Sequence, residues 1–209
     1  MMTTSLFSRL MLCAALFYMT SCASISGLQT AKVVGKGHAE MGLGLAGIGE
    51  NPQNGEAVAV GAEAWGRMGI SKRMDVGLKF SSTGTSVVDL KWQFIGNQNS
   101  LIAVATGVGV GVNGLAFSNT GAGVLDVHFP LYTSVHLGKK LDLYFNPRYI
   151  SQTLAAGNQQ GQIGYLGYSG GIMVGGKVKL LLDYSDFVFG NETQQFPIRQ
   201  LTAGLKLRI

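Results

Sequence analysis

Hydrophobic and polar residues alternate one by one along much of the chain, which is the period of a β-strand whose two faces meet different surroundings. Between 125 and 137 the odd-numbered residues are apolar, with one threonine among them, whereas the even-numbered residues include Asp126, His128 and His136. Alternation over this length exceeds the usual strand of a soluble sheet. It is long enough to cross a bilayer at a tilt.

The same period predicts ten strands, at approximately 37–48, 57–70, 74–82, 86–95, 100–112, 122–137, 141–151, 162–174, 177–186 and 198–209. Short connections such as 71–73, 138–140 and 175–176 alternate with longer ones at 49–56, 113–121, 152–161 and 187–197. Short turns on the periplasmic side and long loops outside are typical of an outer-membrane barrel. We therefore predict an all-β fold, a transmembrane up-and-down antiparallel β-barrel of about ten strands, with eight as the alternative.

Charged residues provide an independent test, because the two faces follow from hydrophobicity alone. Apart from Asp186 and Arg199, the charges inside the predicted strands have the parity of the polar face, as expected if a charge facing lipid costs about 2–4 kcal/mol near the midplane. Seven acids and eight bases share this face, which predicts a nearly neutral lumen. The predicted lumen-facing network comprises Glu40, Glu63, Arg67, Lys79, Asp89, Lys91, Asp126, His128, His136, Asp142, Arg148, Asp183, Lys206 and Arg208, and Asp75, Lys177 and Lys179 share its parity.

Barrels of this size have narrow interiors that side chains largely fill, so we predict a largely plugged lumen. Small residues line the inner face of the fifth predicted strand at 103, 105, 107, 109 and 111. They leave room for bulky neighbours such as Tyr132, Tyr144 and Arg148. The alternative is a narrow hydrophilic conduit beside this strand.

The N-terminus has the pattern of an export signal, because residues 1–9 carry one positive charge and no acid and 10–19 are almost wholly apolar. This apolar run is shorter than the roughly 20 residues that a membrane-spanning helix needs. The sequence MTSC at 19–22 resembles the lipobox of bacterial lipoproteins, which implies that Cys22 is acylated and becomes the mature N-terminus. An ordinary signal peptide cleaved nearby is the alternative.

These features predict three parts: a lipoprotein signal peptide at 1–21, a lipidated N-terminus and linker at 22–36, and a β-barrel domain at 37–209. An even number of strands places both ends of the barrel on the periplasmic side. From that side we expect a lipidated N-terminus to reach the inner leaflet.

Composition agrees with a barrel, because 46% of the residues are hydrophobic while no apolar run after residue 19 has the length of a membrane helix. The chain contains 31 glycines, which disfavour a helical bundle because each interior glycine costs about 1 kcal/mol. The net charge of +5 does not predict nucleic-acid binding. Basic residues gather at predicted periplasmic turns, where anionic headgroups are sufficient partners: Lys72, Arg73, Lys139, Lys140 and Lys177.

Two sets of luminal residues are of types that carry chemistry. Ser134 and His136 share one face, and a short turn places Asp142 opposite His136, which are the residue types of nucleophilic catalysis. They point into the lumen near the periplasmic end, so we interpret His136 and Asp142 as a cross-strand ion pair. We interpret Asp126 and His128, nearer the outside, as structural residues. We predict no catalytic site, no metal site and no cofactor, with an outer-membrane lipid hydrolase or protease as the alternative.

Near the C-terminus, Thr202, Gly204, Leu207 and Ile209 resemble the β-signal of bacterial outer-membrane proteins. Together with the strand pattern over 37–209, they make the chain similar to the small bacterial outer-membrane β-barrel superfamily. The resemblance implies a Gram-negative outer-membrane protein inserted by the barrel assembly machinery. With the lipobox, it also implies handling by the lipoprotein sorting machinery and contact with outer-membrane lipids.

The expected function is that of an integral, lipid-anchored outer-membrane barrel with a structural or surface-interaction role. The aromatic residues Phe187, Phe189 and Phe196 of a predicted outer loop are its candidate contact surface. One alternative is a narrow porin-like channel for small solutes. Another is a lipid-tethered soluble barrel resembling a lipocalin, which would expose Lys91 and Asp142 and bury its apolar face.

Overall fold

Strands hydrogen-bond to one another along their edges, because the backbone N–H and C=O groups of every strand need partners. A computed structural model describes residues 25–49, 59–82, 84–113, 122–156, 159–190 and 195–209, and these residues form ten strands. The strands are β1 (Ala39–Gly49), β2 (Ala59–Gly69), β3 (Met74–Ser81), β4 (Thr85–Ile95), β5 (Ile102–Asn113), β6 (Ala122–Leu137), β7 (Leu141–Ala156), β8 (Gln159–Gly175), β9 (Val178–Gly190) and β10 (Gln195–Arg208).

Each strand pairs antiparallel with the next one in sequence, and β1 also pairs with β10, so the sheet closes into a barrel. At the closure Leu43 of β1 lies opposite Leu205 of β10 and Ala64 of β2. The predicted all-β barrel of ten antiparallel strands is confirmed, and the alternative count of eight is wrong. In the described parts of the chain, no helix has the length and apolar character needed to span a membrane.

The barrel has two distinct ends. The turn end carries the start of β1, the end of β10 and the connections 70–73, 96–101, 138–140 and 176–177. The loop end carries the connections 50–58, 82–84, 114–121, 157–158 and 191–194. The predicted contrast between short turns and long loops is therefore only partly present, because three of the loop-end connections are short.

The prediction of long loops at 152–161 and 187–197 is wrong, because the flanking strands continue into both ranges. β7 pairs with β8 along the first and β9 pairs with β10 along the second. Hydrophobic and polar residues alternate less regularly in these ranges. The hydrogen bonds between neighbouring strands join backbone groups, so they form without such alternation. Phe187, Phe189 and Phe196 are consequently strand residues, and Phe187 is fully buried rather than a surface contact.

The barrel wall is apolar outside and polar inside. Trp92 and Phe145 on the outer face are 48% and 49% exposed, whereas the luminal Lys91 and Asp142 are 2% and 5% exposed. A lipocalin-like barrel requires the opposite arrangement, so this alternative is wrong. The alternation that predicts the strands also determines which side chains surround the lumen.

Candidate functional site

Residues that precede β1 occupy the barrel lumen. Ile25–Val34, which we call the luminal segment, runs through the interior, and its Leu28 and Ala31 are 2% and 0% exposed. The sequence predicts a lipidated N-terminus and linker over 22–36, and the structure places this part of that range inside the barrel. The predicted signal peptide and Cys22 lie outside the described residues.

The luminal segment extends from the turn end deep into the barrel. At the turn end the Val34 N–H donates to Asp75 at 2.9 Å, and its carbonyl accepts from Arg208 at 3.1 Å. At the other end Ile25 packs against Ile150, which stands nine positions beyond the first residue of β7. Following the chain from Ile25 to Val34 therefore leads towards the turn end.

The chain then reverses direction to enter β1. Gly35 and Gly37 have φ values of 88° and 81°, in the left-handed region that favours glycine. The Gly37 N–H donates to the carbonyl of Gly69 at 3.3 Å, and the Gly69 N–H donates to the carbonyl of His38 at 3.0 Å. This reversal ties the luminal segment to the first hairpin of the wall.

Luminal side chains accept hydrogen bonds from the backbone of the luminal segment. Three of its N–H groups donate to side-chain oxygens at 3.0–3.2 Å: Gly27 to Asp183, Ala31 to Ser134, and Val33 to Gln93. The Val34 N–H donates to Asp75 and the Leu28 N–H donates more weakly to Asp183, at 3.4 Å. Because buried backbone donors need partners, the inner wall replaces the neighbouring strand that this segment lacks.

Cationic and amide side chains donate to the carbonyls of the same segment. Lys91 donates to the carbonyls of Thr30 and Lys32 at 3.1 and 3.0 Å. The remaining donors are Arg148 to the carbonyls of Ile25 and Ser26, Lys79 to that of Ser26, Asn146 to that of Gln29, Gln98 to that of Val33 and Arg208 to that of Val34. Seven carbonyls of the luminal segment are therefore bonded to side chains of the wall or of the 96–101 turn.

Apolar side chains of the luminal segment pack in three places along the lumen. Ile25 joins Ile150, Tyr165 and Phe187, Leu28 joins the cluster around Trp65 and Tyr144, and Ala31 joins Ala103, Ala105 and Tyr132. The small residues of β5 thus leave room for the luminal segment as well as for Tyr132. The sequence predicts only bulky wall residues in that space.

Gly27 lies where the luminal segment approaches the wall most closely. A Cβ at this position would lie 2.8 Å from the Cβ of Ser169 and 3.0 Å from Oδ2 of Asp183. Real Cβ atoms essentially never come within 3.0 Å of a neighbour. A larger residue at Gly27 is therefore incompatible with the seated segment.

Most charged side chains of the lumen form ion pairs with one another. Arg67 contacts Asp75 at 2.6 Å and Asp89 at 2.8 Å, and Lys91 lies 3.5 Å from Asp75. Further pairs join Lys79 to Glu63 at 3.3 Å and Lys206 to Glu40 at 3.1 Å. Breaking such a buried pair costs about 3–5 kcal/mol because it strands the remaining charge.

The structure places all fourteen residues of the predicted network on the inner face or at its rim. Ten are buried: Glu63, Arg67, Lys91, Asp126, His128, His136, Asp142, Arg148, Asp183 and Lys206. Glu40, Lys79 and Asp89 are partly buried and paired, and Arg208 is exposed at the turn end. Asp75 also lies inside and is fully buried.

Ser134, His136 and Asp142 come together as one hydrogen-bonded chain. Ser134 Oγ lies 2.8 Å from His136 Nε2, and His136 Nδ1 lies 2.7 Å from Asp142 Oδ1. These are the contacts of a nucleophilic triad. Ser134 Oγ also accepts the Ala31 N–H and is buried, so the serine holds the luminal segment.

Asp126 and His128, the second pair of candidate residues, have separate surroundings. Asp126 accepts from Gln152 at 2.8 Å, and Gln152 accepts from Tyr165 at 2.8 Å. His128 lines a small cavity of about 40 Å³ with Tyr132 and Arg148. Among the residues that the structure describes, no three His, Cys, Asp or Glu side chains form a group suited to a metal ion.

The predicted assembly signal lies in β10 and just after it. Thr202 faces the lumen and is fully buried, whereas Leu207 and Ile209 are exposed on the outside. Gly204 lies opposite Gly44 of β1, where the barrel closes.

Comparison with known proteins finds no matching family model and no matching curated protein. Among solved structures, the chain resembles Neisserial surface protein A at 11% identity and a TM-score of 0.39, over 81% of this chain and 95% of that one. It resembles the attachment invasion locus protein of Yersinia pestis at 11% and 0.37, over 83% and 99%. It resembles the outer-membrane protease OmpT of Escherichia coli at 10% and 0.41, over 82% and 96%. Likenesses this weak say nothing about function, which has to follow from the residues themselves.

Proposed function

We propose that this protein is an integral outer-membrane β-barrel whose lumen is closed by its own luminal segment, and that its role is structural or surface-interacting. The observation that carries the proposal is the bonding of five N–H groups and seven carbonyls of this segment to side chains of the inner wall and of the turn end. A solute path through the barrel would have to displace them.

Withdrawal of the luminal segment would leave wall groups without partners. Asn146 and Lys91 would lose their carbonyl acceptors, and Asp183 would lose the Gly27 N–H. Each buried polar group left unpaired costs about 1–3 kcal/mol where water does not replace its partner. The closed barrel is therefore the stable form, and a narrow conducting channel is the alternative.

Placement in a membrane is supported by the outer surface of the wall. Leu43, Leu166 and Leu205 are 67%, 67% and 51% exposed, although a soluble protein rarely exposes large continuous apolar patches. The buried charges all lie on the opposite face. A barrel surrounded by lipid tails accounts for both the exposed apolar outer face and the confinement of the buried charges to the lumen.

Acylation of Cys22 is part of the proposal, and the position of Ile25 limits what the acyl chains can reach. Ile25 lies beside Ile150, roughly 20 Å above the start of β7 for a strand rise of about 3.3 Å and a tilt of about 40°. The three residues from Cys22 to Ile25 span at most about 11 Å. With the luminal segment seated, acyl chains on Cys22 do not reach the leaflet at the turn end, so in the closed form that we propose the wall, and not this anchor, holds the barrel in the membrane.

Two cellular machineries are proposed as partners, one on the basis of β10 and the other on the basis of Cys22. We propose that the barrel assembly machinery recognises β10 through Thr202, Gly204, Leu207 and Ile209. We propose that the lipoprotein sorting machinery handles acylated Cys22. The loop end is the face that a partner outside the cell would meet.

Leu43→Lys tests the membrane-facing wall. The substitution places a charge near the middle of β1, and in phospholipid vesicles we expect it to lower the free energy of unfolding by about 2–4 kcal/mol. Val178→Lys, at the start of β9, is the control and should cost about 0–1 kcal/mol, because it lies near an interface. Equal, small effects in a urea titration would contradict a lipid-facing wall.

Gly27→Val tests closure of the lumen. We expect the wild type to show no stable conductance in planar bilayers and the variant to show discrete channels, because the added side chain collides with Ser169 and unseats the segment. Gly161→Val is the control, since a Cβ there meets open space. Heat-modifiability on gels verifies that each barrel is folded. Wild-type channels equal to those of Gly27→Val would favour the porin-like alternative.

Cys22→Ala tests the lipid anchor. The intact mass of the mature wild-type protein should include acyl chains that the variant lacks. Both proteins should remain in the outer-membrane fraction after carbonate extraction, because the wall alone retains the barrel. Loss of the folded variant from the membrane would show instead that the anchor provides retention.

A further inference from the structure

A polar cavity of about 260 Å³ opens between the luminal segment and the wall at the turn end. Its lining is strongly cationic. The basic side chains come from the luminal segment, from two turns and from β9 and β10: Lys32, Lys139, Lys177, Lys179, Lys206 and Arg208. Glu40 and Asp142 are its two acidic residues, so the basic Lys and Arg side chains outnumber the acidic ones by four.

Both acidic groups already have partners. Glu40 accepts from Lys206 at 3.1 Å, and Asp142 accepts from Lys179 and lies 2.7 Å from His136. The surplus is therefore carried by the four other basic side chains, of which Lys139 and Lys177 are exposed at the mouth.

Lys32 experiences this surplus directly. Burial lowers the pKa of Lys32 from its ordinary value of 10.5, and only Asp142 opposes the shift. Lys179 and Arg208 lower the pKa of Lys32 further. Like charges gathered in a partly enclosed space disfavour the charged form, and a bound anion would relieve that repulsion.

The size of the cavity restricts the anion. Sites for drug-sized ligands occupy about 300–1,000 Å³ and are mostly apolar, whereas this cavity is smaller and polar. Lysine ammonium groups act as point charges and commonly bind phosphate oxygens. A compact anion with several charges is therefore the best match.

We propose that this cavity binds a small phosphate-class polyanion, such as a diphosphate, and that the bound anion holds the luminal segment in place. Lys32 belongs to the segment, whereas Lys139 and Lys177 belong to turns that join strands of the wall, so one ligand bridges the segment and the barrel. A ligand that binds only the seated form stabilises that form by mass action. This inference rests on the closed membrane barrel proposed above.

The test uses the full-length mature protein in zwitterionic detergent and phosphate-free buffer, titrated with pyrophosphate in a calorimeter. We expect saturable binding that weakens with salt. Lys139→Gln combined with Lys177→Gln should weaken binding about tenfold, as should Lys32→Gln. Lys72→Gln combined with Arg73→Gln is the matched control, because these residues lie at the same end but do not line the cavity, and it should leave affinity unchanged.

Two results would overturn the proposal. One is the absence of saturable binding by the folded wild type. The other is equal weakening by the cavity and control variants, which indicates attraction to a basic surface rather than a site. Conductance and calorimetry separate the two proposals. A wild type that conducts but still binds pyrophosphate through Lys32 would contradict closure of the lumen alone, whereas a non-conducting wild type that binds no pyrophosphate would contradict the anion site alone.

Nanodiscs distinguish the source of the phosphate. If phosphatidylglycerol discs abolish pyrophosphate binding and phosphatidylcholine discs preserve it, lipid headgroups reach the cavity. Equal binding in both assigns the site to a soluble anion. In either case pyrophosphate should raise the melting temperature of the wild type more than that of Gly27→Val, because the variant cannot seat the segment that carries Lys32. Equal stabilisation of both proteins would contradict the coupling to the luminal segment.

Discussion

The backbone of a chain inside a barrel needs hydrogen-bond partners that the strands, paired with one another, do not supply. Ile25–Val34 is such a chain, and the rest of the lumen is arranged around it. Side chains on the inner face accept from its N–H groups and donate to its carbonyls. The polar side chains of the interior therefore provide hydrogen-bond partners for this one segment. The charged side chains among them also form ion pairs with one another.

This arrangement explains why single luminal residues have several contacts. Lys91 donates to two segment carbonyls, lies near Asp75 and sits 5.5 Å from the centre of the Tyr132 ring. Asp183 accepts from the segment, from Tyr144 and from Ser185. Because each such group is shared between the wall and the segment, displacement of the segment also disturbs the wall.

The Ser134–His136–Asp142 chain illustrates how residue types alone leave a role open. The distances between these three residues suit a nucleophile and its base, but the hydroxyl is bonded to the Ala31 N–H and is buried. The contact that decides its present role comes from a residue more than 100 positions away in the chain. While the segment is seated, the three side chains form one hydrogen-bonded chain that holds the Ala31 N–H.

Much of the fold is predictable from the sequence, because alternation with a period of two indicates which residues face outward and which face the lumen. The same period correctly places Lys91, Asp142 and Arg148 on the inner face of the wall. The luminal segment is not predictable in this way, since a chain bonded to side chains has no required period. The small inner residues Ala103 and Ala105 indicate unfilled space, but they do not identify Ala31 as the residue that fills it.

Strand ends are less predictable for a related reason. At the loop end β7 to β10 continue through residues without clear alternation, where backbone pairing alone maintains the sheet. The position of Phe187 depends on this extension, because a residue assigned to a loop becomes a wall residue that packs on Ile25.

Methyl NMR provides the most direct test of the seated segment. In micelles of the full-length mature protein with labelled alanine methyls, the Ala31 methyl should show nuclear Overhauser contacts to the methyls of Ala103 and Ala105, because all three are fully buried in one cluster. Each resonance is assigned by substitution with glycine or serine. An Ala31 methyl with the sharp signal of a mobile, solvent-exposed residue and no contact to the wall would contradict the account.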